Sequence, residues 1–134
     1  MNEITEKIIG AAIKVYKHLG PGLLESAYEA CLAYELAKFS CFVERQKPLP
    51  VIYEQVRLDC GYRLDFVIEK SIIVEIKAVE AILPIHIAQV VSYLRLSNLK
   101  LGLLLNFNVR ILKEGIRRIV NNFPESPRPL RSLR

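Results

Sequence analysis

Tyr62-Arg63-Leu64-Asp65-Phe66-Val67-Ile68, then Glu69-Lys70-Ser71, then Ile72-Ile73-Val74-Glu75-Ile76-Lys77 is the stretch whose reading decides the fold. Two runs rich in β-branched and aromatic residues flank a three-residue polar break, which is a hairpin signal. Strand alternation sorts the side chains. Leu64, Phe66 and Ile68 share one face, and Arg63, Asp65 and Val67 the other. In the second run Ile73, Glu75 and Lys77 lie opposite Val74 and Ile76. Charges thus stand where strands this apolar expect core, a costly placement unless they are paired, ligated or solvent-facing.

Register sharpens the point. With Glu69-Lys70-Ser71 as the loop, Ile68 opposes Ile72 and Asp65 lies directly across from Glu75 on the same face. Directly opposed residues have Cβ atoms roughly 4.5–5.5 Å apart. Two carboxylates that close repel, and one pKa rises unless a cation sits between them. A divalent metal removes the conflict, because hard cations prefer carboxylate and carbonyl oxygens, and the Ile76 carbonyl is a natural third ligand. A two-residue turn puts the carboxylates on opposite faces instead. An ordinary sheet surface with weak ion pairs is the other reading of the same charges.

Before the hairpin, Ile4, Ile8, Ala11, Ala12, Val15 and Leu19 recur at helical spacing, so Glu3 to His18 reads as an amphipathic helix. Gly20-Pro21-Gly22 stops it. A second helix runs from near Leu24 to about Phe39, with Tyr28 on its apolar side and read as core. Glu25 opens that helix, where a carboxylate complements the dipole; it is also a second candidate for the site. Phe42 to Gln46 is a strand candidate, and Lys47-Pro48-Leu49-Pro50 belongs at a sheet edge or connection. Val51 to Tyr53 and Val56 to Leu58 are short β segments.

Beyond the hairpin, Ala81 to Pro84 leads into a helix of about Ile85 to Leu96. On it His86, Gln89 and Tyr93 share one face, more polar than the side carrying Ile87, Val90, Val91 and Leu94. That row can contact phosphates or bases, or it is hydrated helix surface. Lys100 to Phe107 reads as a buried strand, and Leu112 to about Asn121 as a short basic helix. The order gives one α/β domain over 1–122, followed by a flexible Pro/Ser/Arg tail, 123–134.

Composition bounds the function. The chain has 134 residues, 51% hydrophobic and 25% charged, enough for one well-cored domain. No apolar run approaches the roughly 20 residues of a membrane span, and Met1 to Gly10 lacks a signal peptide's apolar centre. A cytoplasmic protein without membrane contact is expected. Cys31, Cys41 and Cys60 form no CxxC pair, so they read as reduced, mostly buried thiols rather than a zinc or iron–sulfur site. The net charge of +5 is uneven: 13 Lys/Arg face 12 Asp/Glu before Lys113, and six face two from there on. The excess lies at the end, where it can hold phosphates or simply be solvated.

Together these pieces resemble a known family. Gly22-Leu23-Leu24-Glu25-Ser26-Ala27-Tyr28 matches the GxxExxY signature. Leu19-Gly20-Pro21-Gly22, Gly61-Tyr62-Arg63-Leu64-Asp65 and Val74-Glu75-Ile76-Lys77-Ala78-Val79 follow the same order. Pro84-Ile85-His86, Gln89-Val90-Val91-Ser92-Tyr93 and Leu101-Gly102-Leu103-Leu104-Leu105-Asn106-Phe107 complete it. The resemblance covers about Ile4 to Asn121. It places the chain with the GxxExxY family of the PD-(D/E)XK nuclease superfamily, RecB-like branch. It implies a restriction-endonuclease-like α/β fold, a mixed central sheet flanked by helices.

The resemblance also implies a nuclease that cuts phosphodiester bonds, in DNA above all. Asp65 and Glu75 would hold Mg²⁺, with Mn²⁺ as a substitute, and Glu25 would complete the acidic shell. Lys77 would orient or polarise the attacking water. Gln89 and Tyr93, with His86 nearby, would position the nucleic acid. The four-cysteine cluster of some RecB-like nucleases is missing. The competing readings are a non-cleaving nucleic-acid-binding or regulatory protein on the same fold, and a homo-oligomeric module using Ile4 to Leu19. A domain this small also suits a homodimer or a larger protein partner.

Overall fold

A computed structural model describes residues 2–122 of the chain; the basic tail at 123–134 lies outside the described residues. Helix α1 spans Asn2–Leu19, with Glu3 in its first turn and Lys17 and His18 in its last, each matching the helix dipole. Its buried stripe is Ile8, Ala11, Ala12 and Val15. Gly20 then takes a φ of 67°, the left-handed geometry that glycine adopts without strain. Helix α2, Glu25–Leu36, buries Tyr28, Leu32 and Leu36, one per turn. It ends three residues short of Phe39, because the chain turns at Ala37 and Phe39 N–H donates back to the Leu36 carbonyl.

Among the described residues seven strands follow: β1 (Val43–Pro48), β2 (Val51–Tyr53), β3 (Val56–Leu58), β4 (Arg63–Ile68), β5 (Ile72–Lys77), β6 (Leu101–Asn106) and β7 (Ile116–Val120). Helix α3, Pro84–Ser97, links β5 to β6. The main sheet has the order β1-β4-β5-β6-β7, and β2 and β3 make a separate antiparallel pair. Only β5 and β6 run parallel; β1–β4, β4–β5 and β6–β7 are antiparallel. This is the mixed sheet flanked by helices that the family resemblance implies. Pro48, unable to donate to a ladder, ends a strand at the sheet's edge.

Two apolar layers hold the sheet. Helices α1 and α2 cover Phe66, Ile68, Ile72, Val74 and Ile76. Helix α3 covers Val67, Ile73 and Leu104 with Val90, Tyr93 and Leu94. Strand β5 sits between both layers and is buried from Ile72 through Ile76. Among the described residues no helix is long and apolar enough to cross a membrane.

Three expectations change. The final helix is instead a 3₁₀ turn, Leu112–Gly115, followed by β7. Ile116 and Ile119 fit a helical period, but pairing with the otherwise open edge of β6 outweighs it. Leu64 packs beside α3 with Leu49, Val67 and Tyr93, while Phe66 and Ile68 pack under α1 and α2. The alternation of β4 therefore breaks at Asp65, which stands opposite a left-handed Gln46 in β1. The thiols are free, as expected, but Cys31 and Cys41 are only half-buried and Cys60 is exposed.

Candidate active site

The β4–β5 hairpin has the expected register: Ile68 pairs with Ile72, Val67 with Ile73 and Phe66 with Val74. Glu69 and Lys70 take positive φ to close the three-residue turn. One pair further out the main-chain ladder gives way to crossed side-chain bonds. Asp65 N–H donates to Glu75 Oε2 at 2.9 Å, and Ile76 N–H donates to Asp65 Oδ2 at 2.8 Å. The two carboxylates are thus opposed across the hairpin. In a strand a residue's N–H and C=O point to the same edge, so the Ile76 carbonyl faces the β4 side, where Asp65 lies.

Burial sets the electrostatics. Glu75 is 4% exposed in a strand whose other residues from Ile72 through Ile76 are apolar. Desolvation, then the charge of Asp65, push its pKa up to about 8. Asp65 is also raised, chiefly by burial, with the charges of Glu29 and Glu25 adding to it; the Ile76 N–H and the Gln46 amide pull the other way. The metal-free pair is electrostatically frustrated, and a cation between the carboxylates relieves that frustration.

Helix α2 brings up a second set of carboxylates. The Tyr28 hydroxyl donates to the Gly20 carbonyl at 2.6 Å and accepts from Leu23 N–H at 3.1 Å, and its ring stacks on Phe107 at 4.5 Å. Tyr28 is therefore core, as expected, and it pins the loop that launches α2. Glu25, first in the helix, accepts Ala78 N–H at 3.3 Å, just past the end of β5. One turn on, Glu29 accepts from Arg45 Nε and from Gln46 Nε2, each at 2.8 Å.

From the other layer, α3 supplies Gln89, whose Oε1 accepts from Lys77 Nζ at 3.1 Å. Tyr93 is buried, its ring tilted against Tyr62 at 6.2 Å, and burial followed by the charge of Glu75 raises its phenol pKa. His86 differs from its two helix neighbours. Its Nδ1 accepts Leu83 N–H at 2.9 Å, so it caps the start of its own helix. Asn106, buried at the end of β6, holds both the N–H and the carbonyl of Val79, anchoring the connection from β5 to α3.

Asp65, Glu75 and Ile76 thus meet directly, Glu25 abuts them at the strand end, and Lys77 and Gln89 pair beside them. Sequence reasoning missed Glu29 and Gln46. Glu29 had a legible signal, the i, i+4 spacing from Glu25. Gln46 had none, since its place depends on a backbone angle.

Among the described residues no group of three or more His, Cys, Asp or Glu side chains is gathered to hold a metal ion. The donors present still suit Mg²⁺, which keeps several waters and takes one or two carboxylates. A buried Glu75 opposite a half-buried Asp65, with a carbonyl on the same edge, is a hard-oxygen set. The residues fit such an ion.

Compared with known proteins, residues 2–119 match a family model described as the PD-(D/E)XK nuclease superfamily. Neither the curated proteins nor the solved structures yield a match.

Proposed function

The chain belongs to the PD-(D/E)XK nuclease superfamily, and we propose that it is a divalent-metal-dependent nuclease that hydrolyses phosphodiester bonds in DNA. The observation that carries this reading is the opposed Asp65–Glu75 pair with its crossed bonds to the partner strand. The GxxExxY motif at Gly22 to Tyr28, with Gln89 and Tyr93, supports the GxxExxY family and its RecB-like branch as the finer assignment.

In this reading Asp65 and Glu75, with the Ile76 carbonyl and Glu25, would hold Mg²⁺, or Mn²⁺ in its place. The bound ion lowers the pKa of a water and offsets the charge that develops on the phosphate. Lys77 sets a fixed positive charge beside the attacking water, and Gln89 holds the Lys77 ammonium in place. Tyr93 and Gln89 form the α3 wall against which the strand is positioned. His86, occupied at Nδ1, keeps only Nε2 for a phosphate. The free thiols suit a reducing cytoplasm, and a domain this small gains substrate surface as a homodimer or beside a larger partner.

A cleavage panel tests the proposal: single- and double-stranded DNA and RNA, with Mg²⁺, Mn²⁺ or chelator, comparing wild type with Glu75→Ala and Lys77→Ala. Metal-dependent cutting by wild type alone is expected. Equal cutting by both variants, or none by folded wild type on any substrate, overturns it. In the latter case a non-cleaving nucleic-acid-binding protein on the same fold remains.

A further inference from the structure

Gln46 lies in β1, at the edge of the main sheet, in a place where strand geometry is broken. Its φ is 55°, a left-handed conformation that is strained for a residue with a side chain. Arg45 pairs with Phe66 and Lys47 with Leu64, leaving Gln46 opposite Asp65 at the point where β4 changes face. Strain of this kind persists only where the surroundings hold it, and it concentrates at functional sites. As an edge strand β1 has no second neighbour among the described residues, so the kink disturbs no other ladder there.

The kink directs the side chain. Gln46 Nε2 donates to Glu29 Oε1 at 2.8 Å and to Asp65 Oδ1 at 3.3 Å. The other Asp65 oxygen accepts Ile76 N–H, and the other Glu29 oxygen accepts Arg45 Nε. One amide therefore joins a carboxylate on α2 to a carboxylate on β4, and Asp65 is held at both oxygens. The chemical type matters. A lysine or arginine here competes with a divalent ion for Asp65, and a glutamate repels both neighbours. A neutral amide orients a carboxylate without neutralising it.

We propose that Gln46 is a positioning residue for Asp65, its left-handed backbone aiming an amide that fixes the carboxylate's rotation and its spacing from Glu29. The role toward metal rests on the reading of Asp65 as a ligand; the role toward Asp65 itself does not.

The test uses the full chain. Gln46→Gly keeps the backbone conformation, which glycine adopts freely, and removes the amide. If it melts early, Gln46→Asn replaces it, since asparagine tolerates positive φ while its amide, one methylene shorter, fails to span both carboxylates. Two readouts are taken: hydrogen exchange of the Ile76 amide in metal-free protein, and the Mn²⁺ dissociation constant by calorimetry. Faster exchange is expected, and Mn²⁺ binding about tenfold weaker, the scale in metal affinity for losing an outer-shell partner. Unchanged Ile76 exchange in a folded variant overturns the role of Gln46. A wild type that binds no Mn²⁺ overturns the metal reading instead, and the exchange measurement still decides on Gln46.

Discussion

Lys77 Nζ donates to Gln89 Oε1 across 3.1 Å, so the last residue of β5 is tied to the second turn of α3. The two come from opposite ends of the connection that Asn106 clamps at Val79. If Lys77 orients water, Gln89 acts through it. Gln89→Ala is expected to lower kcat about tenfold, the cost of one hydrogen bond to a charged group, with a smaller rise in KM from its place in the α3 wall. Steady-state kinetics on a short oligonucleotide checks this; a rise in KM alone assigns Gln89 to substrate binding instead.

Glu75 makes metal-free stability depend on pH. Its folded pKa of about 8 lies above the ordinary carboxylate value of 4.5, so between these limits the native state binds the proton more tightly. The stabilisation is whole below about pH 4.5 and is lost as pH rises through 8, at up to about 1.4 kcal/mol per unit. Asp65, raised in the same direction, adds to the fall. Denaturant melts in chelator between pH 5 and 8.5 are expected to show it. Glu75→Gln is expected to flatten the profile, and Mg²⁺ to restore stability to the wild type only.

Tyr28→Phe keeps the stack on Phe107 and removes the hydroxyl bonds to Gly20 and Leu23. A loss of about 1–3 kcal/mol is expected, since the freed backbone groups are partly buried. Because the same bonds set where α2 starts, the Ala78 amide that meets Glu25 is expected to exchange faster. A melt with unchanged midpoint contradicts this account of the loop.

Gly115 joins the 3₁₀ turn to β7, and a Cβ there falls 2.0 Å from the Asn106 carbonyl oxygen. Gly115→Ala is expected to displace the start of β7 and cost about 1–3 kcal/mol, as overpacking does. Exchange of the β7 amides and a chemical melt read it together. Wild-type stability in that variant contradicts the close approach of Gly115 to the end of β6.

Much of this was legible in residues 62–77. Period-two alternation and a turn of countable length are local properties, and together they placed Asp65 across from Glu75. Glu25 was visible as the opening residue of a helix, though only as a candidate. Glu29 was missed although its i, i+4 spacing from Glu25 could have raised it, and Gln46 was not found because nothing local to Lys47-Pro48 announces a positive φ there. Leu64 went to the other face for the same reason: a broken alternation is invisible in a pattern that otherwise continues.

The sequence by itself determined the first three helices and narrowed the hairpin to a few registers, one of which sets the two carboxylates across from each other, because these follow from short-range periodicity and loop length; the structure selects that register. Only the tertiary structure decided that Ile116–Val120 is a strand. Its five residues carry a period that suits a helix, and the open edge of β6 supplied main-chain partners that local propensity cannot outweigh. The same holds for the surroundings of the site. How far Glu75 is buried, and which groups hold Asp65, depend on layers packed from distant parts of the chain, and desolvation and hydrogen bonding act only once those layers are in place.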